Sequence, residues 1–149
     1  MYTIDLTGKT AVVFGVANHR SLAWSIARQL HGAGVRLAFS YAGERLKEKV
    51  ESLAATLPDS SVFDCDVTRD DEVVRVFREL SERFPRLDYL VHSVAFANKE
   101  DLEGDFLNTS RAGFHRAMDI SAYSLVRLAR DAVPMMQPEG GGSVTLTYN

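Results

Sequence analysis

The sequence predicts an α/β fold, a parallel sheet wound on both faces by helices and breaking off after its fifth strand. Three observations carry this. Short runs rich in β-branched and aromatic residues alternate with segments of helical apolar spacing from end to end. Gly and Pro fall at the junctions. At 149 residues the chain has the size of about one domain, and no repeat or polar linker divides it.

Thr10-Ala11-Val12-Val13-Phe14 reads as the first strand, after a Thr7-Gly8-Lys9 turn. Leu22, Ile26 and Leu30, with Ala23 and Ala27 beside them, recur at helical spacing, and Gly32 and Gly34 end that helix as caps. Val35–Ser40 is the second strand. Leu46, Val50, Leu53 and Leu57 mark a helix stopped by Pro58. The third strand runs from Ser61 to Cys65. Thr68 is expected to cap the next helix, with Asp70 and Asp71 in the first turn, where the helix dipole favours acids. Val73, Val74, Phe77, Leu80 and Phe84 carry that helix to Pro85.

Leu87–His92 is the fourth strand. A polar stretch follows, from Asn98 to about Arg111. Phe114, Met118, Leu125, Leu128 and Ala132 then predict a long helix ending near Pro134. A Glu139-Gly140-Gly141-Gly142 turn leads to a fifth strand, Ser143–Thr147. Strands alternating with helices imply a parallel sheet covered on both faces. Right-handed crossovers give the order 3-2-1-4-5.

The chain is 46% hydrophobic and 25% charged, ordinary values for a globular domain with a real core. A net charge of −3 and a pI near 5.8 give no electrostatic reason to expect nucleic acid or an anionic membrane as partner. No apolar stretch is long enough to span a bilayer. The N-terminus lacks the pattern of a signal peptide, so a cytoplasmic location is expected. Cys65 stands alone, which rules out an internal disulfide, and its strand position reads as a small buried hydrophobe. The histidines His19, His31, His92 and His115 have no ligand spacing, so no metal is expected.

In a doubly wound sheet the ligand lies at the carboxyl ends of the strands, beside the reversal of strand order. The first strand ends in Gly15-Val16-Ala17-Asn18-His19-Arg20-Ser21-Leu22-Ala23. Gly15 permits a tight turn and close cofactor approach. Ser21 stands where its hydroxyl could cap the helix or bind phosphate. The usual G-x-G-x-x-G is absent, and a generic strand-to-helix turn accounts for this loop about equally well.

Gly8-Lys9-Thr10 mimics the tail of a phosphate-binding loop, but it precedes a strand and Thr3 occupies the earlier glycine position. The second strand ends in Ser40-Tyr41-Ala42-Gly43 with neither an acid for ribose hydroxyls nor an arginine for a 2′-phosphate at the immediate strand end; Arg45 comes slightly later and reads as a solvated helix residue. Residue chemistry alone therefore leaves NAD against NADP open. Asp66 either receives the adenine amine, with Val67 on the ring, or initiates a helix. His92-Ser93-Val94-Ala95-Phe96-Ala97 places small residues at the fourth strand end, and His92 reads as structural. Tyr148 follows the fifth strand; a phenol there can donate to an oxyanion or simply pack.

These segments, with Ser40–Leu46, Cys65-Asp66-Val67, Asp119–Ser124 and Thr145–Tyr148, together resemble the bacterial enoyl-acyl-carrier-protein reductases, a divergent branch of the short-chain dehydrogenase/reductases. The likeness runs from about Asp5 to Tyr148, and the long Gly-x-x-x-x-x-Ser-x-Ala loop separates this branch from ordinary short-chain ketoreductases. It implies a Rossmann-like doubly wound sheet and reduction of a trans-2-enoyl thioester on acyl carrier protein, in fatty acid biosynthesis, by hydride from NADH. Gly15, Ser21 and Leu22 would line the pyrophosphate and nearby ribose. Asp66 and Val67 would hold adenine, Val94 the nicotinamide side, and Ala97 the acyl thioester. Tyr148 would be the first of two active-site tyrosines. Ala42-Gly43 resembles the NADH-preferring members, since NADPH-preferring ones carry basic residues there. Members form homotetramers.

The family's second tyrosine and its lysine, spaced Y-x-x-x-x-x-x-K, would lie beyond Asn149. The chain is therefore read as a dinucleotide-binding domain incomplete at its C-terminus, inactive and poorly stable by itself. The competing readings are a ketoacyl reductase of the ordinary type, a non-catalytic NAD-binding module, and a fragment whose edge strand pairs with other chains.

Overall fold

A computed structural model describes residues 3–147. Its sheet has five parallel strands: β1 (Thr10–Phe14), β2 (Arg36–Tyr41), β3 (Ser61–Asp64), β4 (Tyr89–His92) and β5 (Ser143–Leu146). They lie in the order β3-β2-β1-β4-β5, as the crossover argument requires. β1 pairs with β2 from Thr10↔Arg36 to Phe14↔Ser40 and with β4 from Ala11↔Tyr89 to Phe14↔His92. Asp88 fixes the β1–β4 register at its lower end. Its Oδ2 accepts the Thr10 N–H at 2.9 Å, and its Oδ1 faces Lys9 Nζ at 3.2 Å and the Arg86 guanidinium.

Successive residues along each strand feed opposite faces. Ala11, Val13, Leu37, Phe39 and Val91 pack with Ala23, Trp24 and Ala27 of α1 (Leu22–Gly32) and Val50 and Ala54 of α2 (Glu44–Ala54). Val12, Phe14, Ala38, Phe63 and Leu90 meet Val73, Val76, Phe77 and Leu80 of α3 (Asp70–Arg83) from the other side. Leu128, Ala132 and Met136 of the last long helix complete that second layer. Phe14, Phe39, Leu80, Leu90 and Leu128 are fully buried, and each contributes roughly 1.5–3 kcal/mol relative to exposure.

Several boundaries differ from the sequence reading, each for a local reason. Gly34, at φ +98°, is the capping glycine of α1; Gly32 is only its last helical residue. The Gly34 N–H reaches the His31 carbonyl and the Val35 N–H reaches that of Leu30, so orphan carbonyls are satisfied. α2 stops at Ala54 rather than at Pro58, finishing in a tight turn through Leu57. β3 ends one residue before Cys65. Thr68 does not cap α3; both its donors go to Asp66 Oδ1. The acids Asp70, Asp71 and Glu72 do occupy the first turn of α3.

The polar stretch holds a short α4 (Lys99–Leu102). The long helix is two helices, α5 (Arg111–Met118) and α6 (Ser124–Met136), joined by a π-helical turn, Asp119–Tyr123. Pro134 lies inside α6 instead of ending it. It removes one intrahelical bond, which the buried residues Ala132 and Met136 on either side offset by packing.

Some apolar residues assigned to helix cores point to solvent. Leu22, Val74, Phe114 and Met118 are all exposed. Arg127, which apolar spacing cannot reveal, is a buried strut. Its Nε donates to Asp70 Oδ1 at 2.8 Å and its Nη1 to Asp131, tying α6 to the start of α3. Among the described residues no helix is long and apolar enough to cross a membrane.

Candidate functional site

The strand order reverses between β1 and β4. β1 continues to α1 on one face, and β4 leads towards the helices of the other, so their carboxyl ends open a crevice. The Ser93 N–H donates to the Phe14 carbonyl at 2.9 Å, locking the two chains together just where they diverge. Gly15 follows at φ +104°, a left-handed conformation disfavoured for any residue with a side chain. A Cβ at this position would stand 1.9 Å from the Ser93 carbonyl oxygen. Glycine is therefore demanded here by the backbone of β4 as well as by the turn.

The loop beyond Gly15 is braced from within. Ser21 is buried, and its Oγ accepts N–H bonds from Ala17 and Asn18 at 3.0 and 3.1 Å. Asn18 Oδ1 accepts from the Arg20 N–H, and the Asn18 carbonyl from the Ser21 N–H. Ser21 thus occupies the N-cap position of α1 without capping it. Its side chain shapes the loop instead, which corrects the capping alternative. Leu22 stands half-exposed at the helix start, off the core. α1 carries no acid in its first turn, whereas α2 opens with Glu44 and α3 with Asp70, Asp71 and Glu72. The positive end of α1 is left without an anion of its own beside Gly15.

The remaining predicted residues gather at neighbouring strand ends. Asp66 and Val67 follow β3 and are partly buried. Asp66 uses Oδ1 for the Thr68 hydroxyl and N–H, while its own N–H donates to Glu72 Oε2 at 2.8 Å. The turn geometry of the helix-initiating reading is thus present. Val67 and Val94 both lean on the α3–α6 core. Ala97, partly buried, lies in the loop after β4, whose neighbour Phe96 is gripped by Ser121 of the π turn and covered by the Arg116 guanidinium. Tyr148 lies outside the described residues.

His92, at the end of β4, is fully buried and structural. Ser124 Oγ donates to the Ile120 carbonyl at 2.6 Å and so accepts from His92 Nε2–H at 2.7 Å. Burial holds the imidazole below its ordinary pKa, keeping it neutral. Cys65 is buried and its thiol is pushed up to about 12 by desolvation, with the Glu72 carboxylate adding to the effect. That removes the thiolate a nucleophile would need. Among the described residues no group of three His, Cys, Asp or Glu side chains could hold a metal ion.

Two features escaped the sequence reading. One is the π turn that clamps the β4 loop; a helical apolar period shows no trace of a single widened turn. The other is a surface depression of about 600 Å³ lined by Asn98, Ala112, His115, Arg116 and Asp119. It flanks the β4 loop and lies outside the β1–β4 crevice.

Gly15 at the switch point, the acid-free start of α1 and the Asp66-Val67 pair after β3 all stand at the carboxyl ends of the strands of a Rossmann-like α/β domain. The chain belongs to the enoyl-acyl-carrier-protein reductase family: the family model described as "Enoyl-(Acyl carrier protein) reductase" matches residues 15–149. Over 146 residues it is 52% identical to the enoyl-[acyl-carrier-protein] reductase [NADH] FabI of Bacillus subtilis, covering 97% of this chain and 56% of the relative. The [NADPH] FabI of Staphylococcus aureus is 42% identical over 147 residues, covering 97% of this chain and 57% of that one. A crystal structure of the Bacillus cereus enoyl-acyl carrier protein reductase with NADP+ and indole naphthyridinone superposes with a TM-score of 0.85 at 50% identity, covering 89% of this chain and 52% of that chain. The chain spans about half the length of the curated relatives it matches.

Proposed function

We propose that this chain is the dinucleotide-binding part of an NADH-dependent enoyl-acyl-carrier-protein reductase of fatty acid biosynthesis. The observation that carries the proposal is the meeting of Gly15 and Ser93 at the switch point, beside a helix start that has no acid of its own. Gly15, Ser21 and Leu22 line the pyrophosphate and nearby ribose in this reading. Asp66 and Val67 receive adenine, Val94 borders the nicotinamide, and Ala97 the acyl thioester. Ala42 and Gly43, both exposed and uncharged, favour NADH over NADPH.

The chemistry supplied by a bound nicotinamide is hydride donation to the β-carbon of a trans-2-enoyl thioester. Negative charge then develops on the thioester oxygen and calls for a hydrogen-bond donor. In this reading Tyr148 is the first of two active-site tyrosines. The substrate partner is acyl carrier protein, the assembly a homotetramer, and the location cytoplasmic.

Cofactor binding tests the proposal first. Trp24 is the chain's single tryptophan and sits in the first turn of α1, directly after the crevice loop. NADH titrated into the protein should give saturable energy transfer from Trp24, with a dissociation constant of about 1–500 μM. A flat titration on a natively folded sample would overturn the proposal. Turnover is then assayed by NADH-dependent reduction of a trans-2-enoyl thioester on acyl carrier protein.

A further inference from the structure

In sheets of this kind an acid at the carboxyl end of the second strand often receives the adenosine ribose hydroxyls, and the same place rejects or accepts a 2′-phosphate. The end of β2 here carries Tyr41, Ala42 and Gly43, with no acid. The register supplies one from the next strand. Tyr41 and Asp64 are direct partners across the β2–β3 pair, and Asp64 is exposed. Asp64 Oδ1 accepts the Gly43 N–H at 3.3 Å, so its carboxylate lies over the turn that leads into α2.

That position matters for charge. Gly43 is the N-cap residue of α2, and a helix start is where a phosphate monoester would gain most from backbone N–H groups. Asp64 already places a carboxylate on that amide. Glu44 in the first turn adds a second negative charge, partly offset by Lys47 at 3.8 Å. Arg75 Nη2 binds the Asp64 backbone carbonyl while its Nη1 pairs with Glu79, and Arg45 stands exposed in the first turn of α2.

We infer that Asp64, reaching across from β3, is a determinant of NADH over NADPH: its carboxylate takes the place of the missing β2 acid and repels a 2′-phosphate. The inference rests on the dinucleotide reading above. Asp64→Asn tests it, because asparagine keeps an acceptor for the Gly43 N–H and removes the charge. NADH and NADPH dissociation constants are measured for both proteins by the Trp24 transfer signal, at low and high salt. Asp64→Asn should tighten NADPH by about five- to tenfold and change NADH by less than about threefold. The NADPH gain should shrink at high salt. If both proteins bind but the NADPH to NADH ratio stays the same, the role of Asp64 is overturned and the dinucleotide reading stands. If folded wild-type protein binds neither, the dinucleotide reading falls and this inference with it.

Discussion

Ser121 holds Phe96 by both of its backbone groups. Its Oγ accepts from the Phe96 N–H at 2.9 Å and donates to the Phe96 carbonyl at 3.1 Å. A hydroxyl can fill both roles only if the helix brings it squarely against an extended segment, and the π turn at Asp119–Tyr123 carries the residue that does so. The Arg116 guanidinium, 5.1 Å from the Phe96 ring centroid, covers the side chain of the same residue.

Ser121→Ala should therefore loosen the loop between β4 and α4 while leaving the sheet intact. Hydrogen exchange at the Phe96 amide is expected to rise by at least about tenfold. Global stability should fall by about 1 kcal/mol, since the bonds are solvent-exposed. Unchanged protection at Phe96 would show that the loop is held by other contacts.

Gly15→Ala should be far more damaging. The substitution meets a disfavoured φ and the main chain of Ser93, whose carbonyl oxygen, carbonyl carbon and Cα would lie 1.9, 2.4 and 3.1 Å from the added Cβ. A loss of about 2–4 kcal/mol is expected. Urea denaturation monitored at Trp24 measures it, and a loss below about 1 kcal/mol would mean that the strand ends part easily.

His92 sets a pH dependence. Its folded pKa lies below the ordinary value of 6.5 because the ring is buried, and Nδ1 has no hydrogen-bond partner among the described residues. The unfolded chain therefore binds a proton that the folded chain resists. The stability this neutral ring allows is fully present above about pH 6.5 and declines as pH falls from there towards the folded pKa, by up to about 1.4 kcal/mol per pH unit. His92→Gln should flatten the stability profile between about pH 7 and 5.5, whatever it costs in absolute terms. An equally steep profile in the variant would assign the effect to other groups.

Cys65 should resist a thiol reagent at about pH 8 in the native protein and react at once in denaturant, given a thiol pushed up to about 12. Fast native labelling, measured by mass, would mean that the end of β3 opens readily.

The strand order was legible because strand-like and helix-like segments alternate between turn signals visible in short windows, and right-handed crossovers then fix the order. Helix faces were less so. Phe114 and Met118 have the right spacing for a core helix yet are exposed, since spacing says which residues share a face and not whether that face is covered. Pro134 misled for a similar reason: the sequence shows the lost N–H but not the packing around Ala132 and Met136. In the crevice, Gly15 could be read from its position, whereas its contact with Ser93 joins residues far apart along the chain. Asp64 was invisible as a site residue because the β2–β3 register, not β2 itself, brings it to the Gly43 turn.

The two-faced sheet also bears on how this sequence can change over generations. Val12 and Val13 are bonded neighbours, but Val12 belongs with Val73 and Leu128 and Val13 with Trp24 and Val50. Substitutions at Val12 should be compensated by changes some sixty or more positions away, with little heed to Val13. Inherited variation would then sort into two nearly independent lineages of compensation, interleaved residue by residue along the same strand.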